Sequence, residues 1–215
     1  MDVFKLIAGS DEDEDYNPAI ESEDEFSGDT PLHLAASKGH LEVCRAIIQA
    51  LEKDKIADKN PANAFRTTPI HCAAESGHLD ICSLIIDSLK HPLGCYPKDR
   101  NGQTPFHRAA KNGHLHICKL IFERVEAKDP AHIDPETRRL QRNPPDRMNG
   151  RTPLHLAAQN GHWSVCEFIM GNIEDKNPSR NDGITPLHEA ALNGHRDICL
   201  LILSNLKVFW ISIVL

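Results

Sequence analysis

Aromatic residues are scarce in this sequence. Phe, Trp and Tyr make up 5% of the residues, with two Trp and two Tyr, although 40% of the chain is hydrophobic. A core of this composition has to be built mainly from Ala, Leu, Ile and Cys. Catalytic signatures are absent as well, because no nucleophile–base arrangement, Gly-rich phosphate loop or paired-carboxylate pattern occurs. We therefore expect no enzymatic activity, no catalytic residue and no cofactor.

Long apolar runs are also missing. The first ten residues lack the apolar region of a signal peptide. The apolar-rich stretch 208–215 is shorter than the roughly 20 residues that span a bilayer. Counted from Ile198 it reaches eighteen residues, but Ser204, Asn205 and Lys207 interrupt it. We expect an intracellular protein, cytoplasmic with a nuclear location left open, in which no segment other than this tail is suited to contact a membrane.

Acidic charge is concentrated at the start of the chain. Residues 1–29 contain eleven Asp or Glu and one Lys, a net charge of −10, within a whole-chain net charge of −7. The remaining residues carry 23 basic and 20 acidic side chains, a net charge of +3. Because the rest of the chain is nearly neutral, no nucleic-acid partner is expected. The acidic residues are expected to form a disordered linker, and the alternative is attraction of a basic partner.

The pattern Thr-Pro-x-His-x-Ala-Ala occurs five times. Each copy is followed at a fixed offset by Gly-His and then by a cysteine fourteen residues after the threonine. Successive copies start 38, 36, 48 and 33 residues apart. Such self-similarity indicates a stacked array of repeats. The copies start at Thr30, Thr68, Thr104, Thr152 and Thr185.

Each copy encodes a short helix followed by a longer one. Thr30 is a good helix N-cap, and Pro31 suits the first helical position because its missing N–H costs nothing there. Gly39 ends the helix, since glycine enters the left-handed conformation without steric cost. A second helix starts near His40 and has apolar residues on two adjacent faces, one of which includes Cys44. Helix pairs that are apolar on several sides have to stack.

The repeated pattern resembles the consensus of the ankyrin repeat, and the resemblance covers residues 30–206. It implies an all-α solenoid of stacked antiparallel helix pairs, joined by projecting turns or hairpin fingers into a curved body. The predicted division is a partial repeat and acidic linker at 1–29 with a helix near 2–8, repeats at 30–67, 68–103, 104–151, 152–184 and 185–206, and an apolar tail at 207–215. The third repeat includes a long linker.

Three irregular segments leave alternatives open. Residues 2–7 match the second-helix pattern of the repeats. Residues 134–142 have the features of a short capped helix. Its arginines are interpreted as part of a solvated loop, with a basic contact patch or a nuclear-import signal as weaker alternatives. The apolar tail is interpreted as a segment that covers the last repeat or as an unnatural chain end. Both ends fall inside a repeat, which favours a fragment of a longer protein.

The repeated histidines and cysteines have a structural interpretation. Ten of the thirteen histidines lie in the repeated pattern. Spaced one per repeat, they cannot converge as the four ligands of a zinc site do, so no metal is expected. Equivalent cysteines lie about 10 Å apart in successive repeats, beyond the roughly 7 Å Cα limit for a bridge. We expect buried thiols and no disulfides, as in a reducing compartment.

The resemblance implies a partner protein, not identified by the sequence, bound on a concave surface. The positions implied are the residue before each threonine and the two residues after each Ala-Ala. Reversing the charges of Arg151 and Lys111 together is expected to weaken binding. The implied partner-binding residues are Ser37, Lys38, Thr67, Glu75, Ser76, Gln103, Lys111, Asn112, Arg151, Gln159, Asn160, Ile184, Leu192 and Asn193. The alternatives are the cytosolic portion of a larger membrane or channel protein, and a subunit of a larger enzyme.

Overall fold

Helix pairs make up the part of the chain that the structure describes. This computed structural model describes residues 27–54, 59–89, 97–126 and 142–206. The chain divides into two compact units, residues 1–100 and residues 101–215. Within the described ranges no β-strand is present, and none of the helices there is long and apolar enough to cross a membrane.

The described residues of unit 1 form two helix pairs. The first pair is α1 (Pro31–Lys38) and α2 (Leu41–Lys53), and the second is α3 (Pro69–Ser76) and α4 (Leu79–Ser88). Each short helix packs against its own longer partner. The two short helices also pack together, as do the two longer ones. The pairs therefore stack side by side.

The part of unit 2 that the structure describes forms three pairs built in the same way. They are α5 (Pro105–Lys111) with α6 (Leu115–Glu126), α7 (Pro153–Gln159) with α8 (Trp163–Asn172), and α9 (Pro186–Leu192) with α10 (Arg196–Asn205). The short helix α7 packs between α5 and α9, and α8 packs between α6 and α10.

The repeated pattern sets the limits of the short helices. Every one of them begins at the proline of the pattern, after an extended threonine. In unit 1 they end at Gly39 and Gly77, whose φ angles of 77° and 86° lie in the left-handed region that favours glycine. The paired alanines after each histidine let neighbouring helices approach closely: Ala73, Ala74 and Ala157 are fully buried.

The core consists of the small and aliphatic residues that the composition predicts. Its largest fully buried side chains are Leu, Ile and Met together with a single Phe, Phe106. Four of the five repeated cysteines, Cys44, Cys82, Cys118 and Cys166, are fully buried. Cys199 is only half-buried, because α10 belongs to the last pair and no further described helix covers its outer side. The described cysteines form no disulfide.

The predicted fold class, an all-α array of stacked helix pairs, is confirmed. The resemblance implies either projecting turns or hairpin fingers between the helix pairs. In the described residues, these connections are turns. Three predicted features lie outside the described residues: the helix near residues 2–8, nearly all of the helix at 134–142, and the apolar tail at 207–215.

Candidate functional site

Within each unit, the histidine of the repeated pattern joins one helix pair to the next. In unit 2, the backbone N–H of Thr152 donates to Nδ1 of His155 over 3.2 Å, and the threonine Oγ1 lies 2.9 Å from the same nitrogen. On the other side of the ring, Nε2 lies 3.2 Å from the carbonyl oxygen of Ile184, in the turn before the next repeat. The ring therefore caps its own helix and anchors the following turn.

This arrangement fixes the protonation state of His155. A backbone N–H is only a donor and a carbonyl is only an acceptor, so Nδ1 carries the lone pair and Nε2 carries the hydrogen. The pKa of His155 is lowered to about 4, mainly by burial and also by the charges of Arg180 and Arg151, while the bond to the Ile184 carbonyl opposes the shift. Burial lowers the pKa of His33 in the same way. Both rings are neutral in the folded protein at neutral pH.

The histidines of three Gly-His pairs make a second link, in the opposite direction. Nε2 of His195, at the start of α10, donates to the carbonyl oxygen of Gln159 over 3.1 Å. The ring reaches this carbonyl by passing over Gly161, where a Cβ atom would lie 2.6 Å from Cε1 of His195. His78 passes over Gly39 in unit 1 and donates to Ser37 in the same manner.

The two sets of histidines anchor six of the predicted partner-binding residues through their main chain alone. The first set bonds the residues before the threonines, and the second set bonds the first residue after Ala-Ala. Because only carbonyl oxygens are used, the side chains at these positions are free to differ between repeats while the backbone stays fixed. The residues anchored are Thr67, Arg151 and Ile184 by the first set, and Ser37, Lys111 and Gln159 by the second.

Side chains from three repeats of unit 2 meet in an ionic cluster. The Arg151 guanidinium donates to Gln159 Oε1 and lies 3.6 Å from Glu189 Oε1. Arg180 binds the same Glu189 oxygen at 2.8 Å and also binds Asp182 at 2.7 Å. Glu189 is only 4% exposed, whereas the two arginines reach the surface. Two predicted residues, Arg151 and Gln159, thus bond each other directly, and Arg151 is joined through Glu189 to Arg180, neither of which the repeated pattern indicates.

Several predicted residues of unit 2 lie on the surface in different ways. Lys111 is exposed, and Leu192 is 83% exposed, which is unusual for a large apolar side chain. Gln103 and Ile184 are half-buried. The three predicted asparagines are exposed, but each donates its side-chain amide to the carbonyl four residues earlier, so they also finish the short helices. These are Asn112, Asn160 and Asn193.

In unit 1 the predicted residues lie at the ends of α1 and α3. Lys38 and Ser76 are exposed, and Ser37 and Glu75 are half-buried. Thr67 is half-buried in the turn before α3, where Asn63 binds its backbone N–H at 2.9 Å. The structure therefore places all predicted residues of this unit at half-buried or exposed positions.

Sequence reasoning missed the linking role of the Gly-His histidine and the asparagine of each Asn-Pro pair. The side-chain oxygen of Asn177 accepts the backbone N–H of Leu187 over 3.0 Å, and Asn60 and Asn143 make the equivalent bonds. The signal for both was present, since Gly-His recurs at a fixed offset from the threonine and Asn-Pro lies eight or nine residues before three of the five threonines. The ionic cluster gave no signal, because its arginines and acids occupy variable positions.

The repeated cysteines are expected to be chemically inert. Burial raises the pKa of Cys82 and Cys166 to about 12, with the charge of Asp197 adding to the shift at Cys166, so almost no thiolate forms near neutral pH. A maleimide should label these two thiols at least about 100-fold more slowly in the folded protein than in denaturant. Peptide mass spectrometry after timed labelling measures the rates. Labelling of Cys82 as fast as that of half-buried Cys199 would contradict the structural interpretation.

A comparison with known protein families identifies the repeats. A family model described as ankyrin repeats matches the chain in three copies, over residues 2–92, 55–134 and 129–209. A search of curated proteins gives no match.

Proposed function

The chain belongs to the ankyrin-repeat family, and from this premise we propose that it binds a partner protein on the exposed ends of its short helices and on the turns before them. Ankyrin repeats are in general protein–protein interaction modules. The family is typically non-enzymatic, and we propose no chemistry for this chain. We propose, from the family resemblance, that this surface is the concave face of the array.

The observation that carries the proposal is the main-chain anchoring of this surface. Both sets of histidines bond carbonyl oxygens of surface residues, so the backbone there is held rigid before any partner arrives. A rigid surface loses little conformational entropy on binding, which leaves more of the contact energy as affinity. The histidines bond no side-chain atom of these residues, so the side chains that make no other contact are available for recognition.

The side chains of unit 2 suit a protein partner. Leu192 offers an exposed apolar contact, and Lys111 offers a cation on another repeat of the same unit. Arg151 is held by Gln159 and Glu189, so its guanidinium is already ordered. Ordered arginines and exposed apolar side chains are typical of the few residues that dominate binding energy.

The sharpest test uses exposed residues. The sequence analysis predicts weaker binding when the charges of Arg151 and Lys111 are reversed together. However, Arg151→Glu would place a second carboxylate next to buried Glu189 and disturb folding. We therefore choose Lys111→Glu with Leu192→Asp. Partners retained by the full chain are identified and purified, and titration calorimetry then measures their affinity. The double variant should bind at least about tenfold more weakly, since central interface residues each contribute about 1 kcal/mol or more.

A matched control lies on a longer helix of the same unit. Glu123 is exposed on α6, and Glu123→Lys changes charge by as much as Lys111→Glu does. Its affinity should equal that of the unchanged protein. Equal affinity in the Lys111/Leu192 variant, or an equal loss in the control, would contradict the proposed surface.

The alternative function, a cytosolic portion of a larger membrane or channel protein, depends on the apolar tail. Those residues, 207–215, lie outside the described residues. It stays a prediction that fractionation tests, because a protein that remains in solution without detergent contradicts it.

A further inference from the structure

One turn of unit 1 holds a residue in an uncommon backbone conformation. Arg66 has φ +59° and is the only residue other than glycine with a positive φ among the described residues. The equivalent position two residues before each motif threonine is Gly28, Gly102, Gly150 or Gly183 elsewhere, all with positive φ. A side chain at such a φ strains the backbone, and strain of this kind clusters at binding sites.

The surroundings of Arg66 form an exposed basic and aromatic surface, which we call the unit 1 tip: Phe65, Arg66, Lys98 and Arg100. Phe65 is 44% exposed, and the Arg100 guanidinium lies over its ring, 5.5 Å from the centroid. The backbone N–H of Arg100 donates to the Phe65 carbonyl over 3.0 Å, which joins the two turns. The side chains of Arg66, Lys98 and Arg100 are all exposed.

The acids closest in sequence do not neutralise this surface at its exposed side. Asp99 is 2% exposed. Asp29 is half-buried and accepts a hydrogen bond of 2.6 Å from the side chain of Asn63. The exposed charges of the tip are therefore three cations beside one open aromatic ring, which is complementary to an acidic segment that also carries aromatic residues.

Such a segment joins the described structure beside the tip. Ser27, the first described residue, accepts a hydrogen bond of 3.0 Å from the backbone N–H of Ala64, the neighbour of Phe65. Residues 11–25 contain nine acidic residues and no Lys or Arg. Glu25 is two residues from Ser27, so its Cα lies within about 7 Å of the serine Cα by chain geometry alone. The segment between them also includes Phe26, and Tyr16 lies within 11–25.

We propose that the acidic segment 11–25 of this chain docks on the unit 1 tip. Covalent attachment at Ser27 gives the segment an effective concentration in the millimolar range at the tip, so weak charge pairs suffice to hold it there. Arg66 supplies one of the cations from a position of positive φ. Binding of the acidic segment by this charge explains why an arginine, and not a glycine, stands at this strained position. A partner protein that binds the tip has to displace the acidic segment or match its charge.

Limited proteolysis of the full chain tests this docking. A Glu-specific protease cleaves within the acidic segment at Glu12, Glu14, Glu21, Glu23 and Glu25. At low salt, cleavage there should be about fivefold faster in the variant Arg66→Gly/Arg100→Gln than in the unchanged protein, as expected from the loss of a few exposed charge pairs. At about 1 M salt, where the screening length is about 3 Å, the two rates should become equal.

Two further variants separate docking from folding. Arg66→Gly alone relieves the strain, so it should raise the melting temperature while it also speeds cleavage of the segment, a combination that loss of folding cannot produce. Arg196→Gln removes an exposed cation from α10 of unit 2 and should leave the rate unchanged. Equal cleavage of the unchanged protein and the double variant at low salt overturns the proposal. Protection that rises with protein concentration also overturns it, because the occupant is then the acidic segment of a second copy.

Discussion

Gly161→Ala should destabilise the protein by about 3 kcal/mol, whereas the same change at Gly194 should cost only about 1 kcal/mol. Both glycines follow a short helix of unit 2 and have nearly equal φ angles, +78° and +75°. The backbone penalty of adding a Cβ is therefore the same at both positions. The difference lies in what the Cβ would meet.

At Gly161 the added atom would lie 2.6 Å from Cε1 and 2.9 Å from Nδ1 of His195, closer than real atoms approach. The ring has to move, and its hydrogen bond to the Gln159 carbonyl is lost. At Gly194 nothing lies within 4 Å of the added atom. Urea unfolding followed by circular dichroism measures both changes. Equal destabilisation by the two substitutions would show that the histidine contact contributes nothing.

Acidification should destabilise the fold by roughly 3 kcal/mol through His155 alone, since its pKa falls from 6.5 in the unfolded chain to about 4 in the folded protein. Between pH 6.5 and pH 4 the His155 ring is protonated in the unfolded state but not in the folded state. The free energy of unfolding therefore decreases as the pH is lowered. The stabilisation by the neutral His155 ring is complete above pH 6.5 and is lost as the pH falls to about 4. The lowered pKa of His33 acts in the same direction.

Unfolding free energies between pH 7 and pH 4 test this expectation, with His155→Gln as the comparison. The variant is less stable at pH 7, but its stability should fall less steeply over this range, because the titrating ring is gone. NMR provides a direct check: the His155 ring signals should show no protonation until the pH approaches 4. Titration near pH 6.5, as for a histidine in water, would contradict the buried neutral ring.

The local structure of each repeat was predictable because its signals are local. Proline and glycine mark where a short helix begins and ends, and the paired alanines mark its buried face. The burial of Cys199 was not predictable from its equivalence to the other four, because burial depends on a next helix pair that the described residues do not contain. The helix predicted near residues 2–8 lies outside the described residues and stays a prediction.

The exposure of side chains on the candidate surface was predictable from the sequence, but the hydrogen bonds and ion pairs around them were not. A variable residue beside an invariant framework indicates an exposed side chain, and this is where Lys111 and Leu192 lie. The bond from His195 to Gln159 spans 36 residues and ends on a carbonyl, which every residue has, so the partner leaves no trace in the sequence. The pairing of Arg180 with Glu189 likewise depends on which variable side chains face each other across two repeats.

The main-chain anchoring of the surface residues also bears on how this protein can change. Since the histidines recognise carbonyl groups and not side chains, a mutation at Ser37, Lys111 or Gln159 leaves the scaffold bonds intact. New specificities can therefore arise one residue at a time without a compensating change in the core. The same property makes these positions suitable for randomisation in a binding library built on this chain.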